Sequence, residues 1–298
     1  MTGGTTTRLV VAALVAALAV TAAGCGGSSK KTTTSSGAAQ SSCSKDSLHL
    51  ITAGKLTIGT DNPAYPPWYG GSPGHGWKVT DPYSGQGYES AVAYALAKRL
   101  GFSRGQVTWK YVSFDSAKAP GKKPFDFDIN QISYSAARAK VVDFSDSYYD
   151  VAQSIAVNKG TPIAKVTTVA GLKPFELGAQ LGTTSYQLIT SSIKPSKKPS
   201  VFPTNAGAVQ ALKNKQIAGL VLDLPTAFYV TAAQAPGSKV LGQFPAKPGG
   251  EHFGLVFEKG NPLVTCVNKA LATLRTNGTL EQLDHKWLAK ATGAPILK

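Results

Sequence analysis

The sequence predicts an α/β fold in which mostly parallel strands are covered by helices. Short apolar strands alternate with amphipathic helices, the chain runs to 298 residues, and 42% of it is apolar against 16% charged. Alternation of this kind marks parallel sheets whose faces are covered by the connecting helices. The length permits one large or two ordinary domains. The composition can fill a core and excludes a disordered polyelectrolyte.

The elements follow in order. Residues 55–60 (KLTIGT) read as a short strand. Over residues 88–100, Val92, Leu96 and Leu100 recur at i, i+4 and i+8 and Gly101 follows, which is an amphipathic helix with its C-cap. Residues 107–112, 127–132, 154–157 and 177–180 read as strands, with a helical stretch at 185–193. Residues 206–212 read as a helix and 218–222 as a buried strand, and Pro225 suits the first turn of a further helix. Residues 262–274 and 280–289 are helical. Two stretches are irregular: 69–86, rich in glycine around Trp77, is read as a lid, and the basic 117–124 (AKAPGKKP) as decoration.

The N-terminus assigns a compartment. Arg8 precedes an apolar run, Leu9 to Val20, that is too short for a span needing about 20 residues. A basic start, a short apolar stretch and small residues read as a secretory signal over 1–25. Ala22-Ala23-Gly24 before Cys25 resembles a bacterial lipobox, with alanine where leucine is usual; the alternative is an ordinary secretory signal. Residues 26–42 lack any aliphatic side chain larger than alanine and read as a flexible tether. Outside the cell a disulfide is permitted, and with Cys25 assigned to lipid, Cys43 and Cys266 are expected to pair. No Cys-x-x-Cys motif exists and the four histidines are scattered, so no metal site is expected. Thirty-one Lys+Arg against sixteen Asp+Glu give +15, which admits nucleic acid, an anionic membrane or an anionic cell wall as surroundings.

Ligands of open parallel sheets sit beyond the C-terminal strand ends. Asp61 and then Tyr65-Pro66-Pro67-Trp68 follow the first strand; Ser133 and Arg138 follow 127–132. Gly182-Thr183-Thr184-Ser185 follows 177–180 and opens a helix, and Asp223 follows 218–222. Arginine offers a fork for a carboxylate, aspartate accepts from an ammonium, and a hydroxyl-bearing helix start favours an anion. With aromatic walls, the set fits a zwitterion, a free amino acid. Each residue also has a plainer role: Arg138 could pair with Asp143, Asp61 and Asp223 could be helix N-caps, and Tyr65 and Trp68 could be core aromatics.

Six stretches carry a resemblance: 56–68 (LTIGTDNPAYPPW), 87–101 (GYESAVAYALAKRLG), 125–150 (FDFDINQISYSAARAKVVDFSDSYYD), 181–186 (LGTTSY), 208–227 (AVQALKNKQIAGLVLDLPTA) and 268–288 (NKALATLRTNGTLEQLDHKWL). Together they resemble the family-three extracellular solute-binding proteins, receptors of polar-amino-acid ABC importers. The resemblance implies a type II periplasmic-binding-protein-like fold: two parallel-sheet lobes joined by a two-crossing hinge. Lobe one would hold 43–150 and 246–298, lobe two 151–245. It implies closure on an amino acid, delivery to a permease, no cofactor, no catalysis, no nucleic-acid partner, and a monomer.

By the same analogy Arg138 holds the α-carboxylate with the Ser133 hydroxyl and the Thr184 amide, next to Thr183. Asp223 takes the α-ammonium with the backbone near Gln131. Tyr65 and Phe114 sandwich the ligand near Trp68, and Asp61 faces its side chain. The chain departs from the family pattern at Gln131, where glycine or serine is usual, and at Ser133-Tyr134-Ser135, where Thr-Ile-Thr is usual. A lyase alternative exists, since the same fold carries dehydratases acting on prephenate-like compounds; Asp61 or Glu89 would then be the acid. The lipobox and tether favour the receptor. A sensor ectodomain would need a membrane-spanning helix after the fold, and none is expected before Lys298.

Overall fold

A computed structural model describes residues 43–246, 249–290 and 293–298. The signal segment, Cys25 and the tether therefore lie outside the described residues. The described residues form one compact unit.

The chain begins lobe one with β1 (Leu56–Thr60), α1 (Tyr88–Arg99), β2 (Val107–Tyr111), the short α2 (Phe114–Lys118), β3 (Phe127–Asp128) and the long β4 (Val142–Val151). It passes through Ala152 alone into lobe two, made of β5 (Gln153–Asn158), β6 (Leu177–Gln180), α3 (Thr184–Leu188), β7 (Ser200–Phe202), α4 (Asn205–Lys213), β8 (Gly219–Asp223), α5 (Leu224–Tyr229) and β9 (Ser238–Gln243). It then returns through β10 (Glu251–Glu258), α6 (Leu263–Thr276) and α7 (Thr279–Leu288).

Each lobe carries one five-stranded sheet, ordered β2-β1-β3-β10-β4 and β7-β6-β8-β5-β9. The sheets are mixed, not parallel as expected. β1 pairs parallel with β2 and β3, and β6 with β7 and β8, but β10 and β5, the strands that enter each lobe from the other, run antiparallel to their neighbours. A strand that arrives from the other lobe has no covering crossover helix to return it to the parallel direction.

In lobe one, helices α1, α6 and α7 bury Val92, Leu96, Val267, Leu271 and Leu288 against Leu56, Ile58, Phe127 and Leu255. The Cys43–Cys266 disulfide, with Cα atoms 5.4 Å apart, ties the chain start to α6. The lobe-two sheet is covered on both faces, by Ile189 and Ile193 on one and by Ala208 and Leu212 on the other.

Two further expectations change. The tail does not stay with lobe one: the Ile296 bridge to Gln243, the Val169 N–H donating to the Lys298 carbonyl at 2.8 Å and buried Leu297 place 293–298 on lobe two, making a third crossing. The 69–86 loop is packed on lobe one instead of hanging over a cavity. Its Trp77 is buried, the Tyr69 hydroxyl donates to the Ile129 carbonyl, and the Asp81 carboxylate accepts from Tyr83 N–H at 3.0 Å. Glycine is required where this loop meets α1: Gly87 sits at φ 86°, and a Cβ there would come within 2.5 Å of the Trp68 carbonyl oxygen.

Candidate functional site

A cavity of about 360 Å³ lies where the two lobes meet. Both lobes supply its walls, and all ten sequence-selected ligand residues, Asp61, Tyr65, Trp68, Phe114, Gln131, Ser133, Arg138, Thr183, Thr184 and Asp223, line it or reach it. A cleft of this size takes a molecule of amino-acid dimensions.

From lobe one, the segment after β1 brings Asp61 and Tyr65, and the first residue of α2 brings Phe114, whose helix is capped by Ser113 accepting from Ser116 N–H at 3.3 Å. The chain leaves the sheet after only two residues of β3 because Gln131 turns into the left-handed region, φ 48°. Buried Glu89 holds it there, accepting from Gln131 N–H at 2.8 Å and from the Gln131 side-chain amide. That conformation accounts for the glycine of the family pattern, since glycine reaches it without a Cβ penalty. Ser133 and Arg138 follow. Tyr134 stacks on His252 at 5.4 Å and does not line the cavity.

Arg138 is held on three sides. Its guanidinium donates to the Ser133 carbonyl and, across the interface, to the Gly182 carbonyl at 2.8 Å, and it lies 5.7 Å from the Phe114 ring centre. The pairing with Asp143 does not occur, because Asp143 is taken by Lys259 at 2.7 Å. Burial lowers the Arg138 pKa, and the negative charges of Glu251 and Asp115 oppose that shift.

From lobe two, Thr183 caps α3, accepting from Tyr186 N–H at 3.1 Å, and Thr184 faces Ser133 with hydroxyls 3.3 Å apart. Asp223 is both an N-cap, accepting from Thr226 N–H at 3.1 Å, and a cavity residue. Burial pushes its pKa up to about 6, and nearby Glu251 adds to the rise. Asp61 accepts from Asn62 N–H at 2.8 Å and is likewise raised by burial.

Besides lining the cavity, Trp68 joins the two lobes. It is 1% exposed, it packs edge-on against Tyr88, Tyr149 and Phe253, and its indole N–H donates to Thr226 Oγ1 at 2.8 Å across the interface. It braces one lobe against the other. Sequence reasoning missed Gln153 and Glu251, which join the same network. Both start strands that cross between lobes, so a search of C-terminal strand ends passes over them.

Residues 56–290 match the model of the bacterial extracellular solute-binding proteins, family 3. The chain belongs to that family. Among curated relatives it is similar to the L-cystine-binding protein TcyJ of Escherichia coli strain K12, at 27% identity over 82% of this chain and 85% of that protein. It is also similar to the ABC transporter glutamine-binding protein GlnH of Bacillus subtilis strain 168, at 27% identity over 70% of this chain and 76% of that protein. Among solved structures, an ancestral arginine-binding protein bound to arginine superposes with a TM-score of 0.64 at 30% identity, covering 78% of this chain and 98% of that one. The family match spans both lobes, β1 to α7, and so includes every wall of the cavity.

Proposed function

We propose that this chain is an extracytoplasmic receptor that binds a free amino acid between its lobes and delivers it to the permease of an ABC importer. The observation that carries the reading is a cavity built from both lobes with a guanidinium, Arg138, and a carboxylate, Asp223, in its walls. That pair matches the two charges every free amino acid carries. Amino-acid-binding relatives support it, and the name of the Bacillus relative supports the transporter partnership.

Arg138 receives the α-carboxylate and Asp223 the α-ammonium. Tyr65 and Phe114 flank the ligand, and Asp61 faces its side chain. Binding holds the lobes together, since each lobe contributes one of the two charged anchors. We further propose that residues 1–25 are a lipoprotein signal, that Cys25 carries the lipid and 26–42 the tether, and that the receptor works as a monomer at the outer face of the membrane. Among the described residues no helix is long and apolar enough to cross a membrane.

A thermal-shift screen against the twenty amino acids tests the reading. A ligand at a hundred times its Kd adds about 2.7 kcal/mol of stability. At least one amino acid should raise the melting temperature, and the ligand should be recovered unchanged. No shift with any of the twenty would remove the receptor, and turnover of the bound compound would favour a lyase.

A further inference from the structure

Glu251, the first residue of β10, places a carboxylate of the protein on the donors expected to serve a ligand. Its Oε1 accepts from Ser133 Oγ at 2.6 Å, from Thr184 Oγ1 at 2.6 Å and from Gln153 Nε2 at 3.1 Å. Ser133 belongs to lobe one, and Gln153 and Thr184 to lobe two. The Gln153 amide is itself fixed, its oxygen accepting from Ser185 Oγ at 2.7 Å. The Glu251 charge also acts on both proposed anchors, Arg138 and Asp223.

A hydroxyl carries one proton. While Ser133 and Thr184 donate to Glu251, neither hydroxyl can donate to a ligand carboxylate. Arg138 remains: two of its N–H groups reach the Ser133 and Gly182 carbonyls, and the rest of the guanidinium fork stays available. The negative charges of Glu251 and Asp115 both act on it before any ligand is considered. Asp61 and Asp223 make no ion pair among the described residues, so the walls carry an excess of negative charge.

Resting on the reading of the chain as an amino-acid receptor, we propose that Glu251 is a specificity-determining residue: by engaging the two hydroxyls and adding a negative charge beside the cavity, it biases the cavity toward amino acids with a cationic side chain, then neutral ones, and against anionic ones. The discrimination works by repulsion, which a site can use as effectively as attraction.

The test is calorimetry of the whole chain at pH 7.5 with L-arginine, L-glutamine and L-glutamate as probes, for wild type, Glu251→Gln and Glu251→Asp. Wild type should bind arginine most tightly and glutamate least. Glu251→Gln keeps an acceptor oxygen for the hydroxyls and removes the charge. It should shift the arginine-to-glutamate affinity ratio toward glutamate by about tenfold, the order expected for two unit charges of difference sensed across a solvated cavity. Glu251→Asp keeps the charge and should retain the wild-type ratio even if every affinity falls. A purely structural Glu251 would lower all three affinities together and leave the ratio within threefold, which overturns the proposal. So does a wild type that binds glutamate as tightly as arginine, whether or not the variants fold. Failure of wild type to bind any of the twenty amino acids falls on the receptor reading itself.

Discussion

At the scale of single residues, the two proposed charged anchors make the sharpest demands. Removing one partner of a desolvated ion pair costs about 3–5 kcal/mol, which at about 1.4 kcal/mol per decade is two to three and a half decades of affinity. Arg138→Ala and Asp223→Ala should each weaken the best ligand by that much in calorimetry; affinity within threefold of wild type would displace them from the site. Asp223 also sets a pH dependence. Its carboxyl is raised to about 6, and a protonated carboxyl cannot accept from an ammonium as an anion does. Affinity should therefore be flat above pH 6 and fall up to about tenfold per unit below it, with proton release on binding, and Asp223→Asn should flatten the profile.

Glu89 sets a pH dependence of stability, not of affinity. Burial raises it from 4.5 to about 7 although Tyr148 and Gln131 donate to it. The folded state thus keeps a proton that the unfolded state loses first, and stability falls as pH rises through that window. Relative to wild type, Glu89→Gln should gain up to about 3 kcal/mol in unfolding free energy between pH 4.5 and 8. A difference that does not change with pH would show that Glu89 ionises normally.

At the scale of elements, strands with fully apolar, buried faces were legible from sequence. β1 and β8 lie within one residue of the expected bounds, and α1, α4, α6 and α7 follow their apolar spacing. β3 was overestimated because strand propensity continues through Ile129 while the Gln131 turn, held from a distance by Glu89, ends the pairing. β4, β7, β9 and β10 escaped notice; β7 has only three residues, and β4, β9 and β10 lead out of or into a lobe, which a pattern of crossovers within one lobe does not describe. Glu251 and Gln153 lie at the starts of strands, where a search of C-terminal ends does not look, while the ten residues selected at or near such ends line the cavity.

The disulfide is the element-scale prediction. Cys43 and Cys266 are separated by 223 residues of sequence, and closing so long a loop contributes about 5 kcal/mol in the chain-entropy model. Thiol titration of the denatured, unreduced protein should find neither sulfur free, and reduction should lower the melting temperature. Unchanged melting after reduction would assign the bond no part in stability.

At the scale of the molecule, three segments join the lobes: Ala152, the stretch from β9 to β10, and the returning tail. The cavity lies between lobes that also touch through the Trp68–Thr226 and Arg138–Gly182 contacts. If Cys25 carries lipid, the protein should partition into detergent and Cys25→Ser should release it into the aqueous phase; equal partitioning of the two would remove the anchor.

The bond from Cys43 to α6 gives this body a defined load path. A pull on the chain ahead of Cys43 enters the helical layer of lobe one through a covalent crosslink and never traverses the crossing segments. If the leading chain is the tether proposed above, its tension is borne by lobe one and does not pass along the segments that join the lobes.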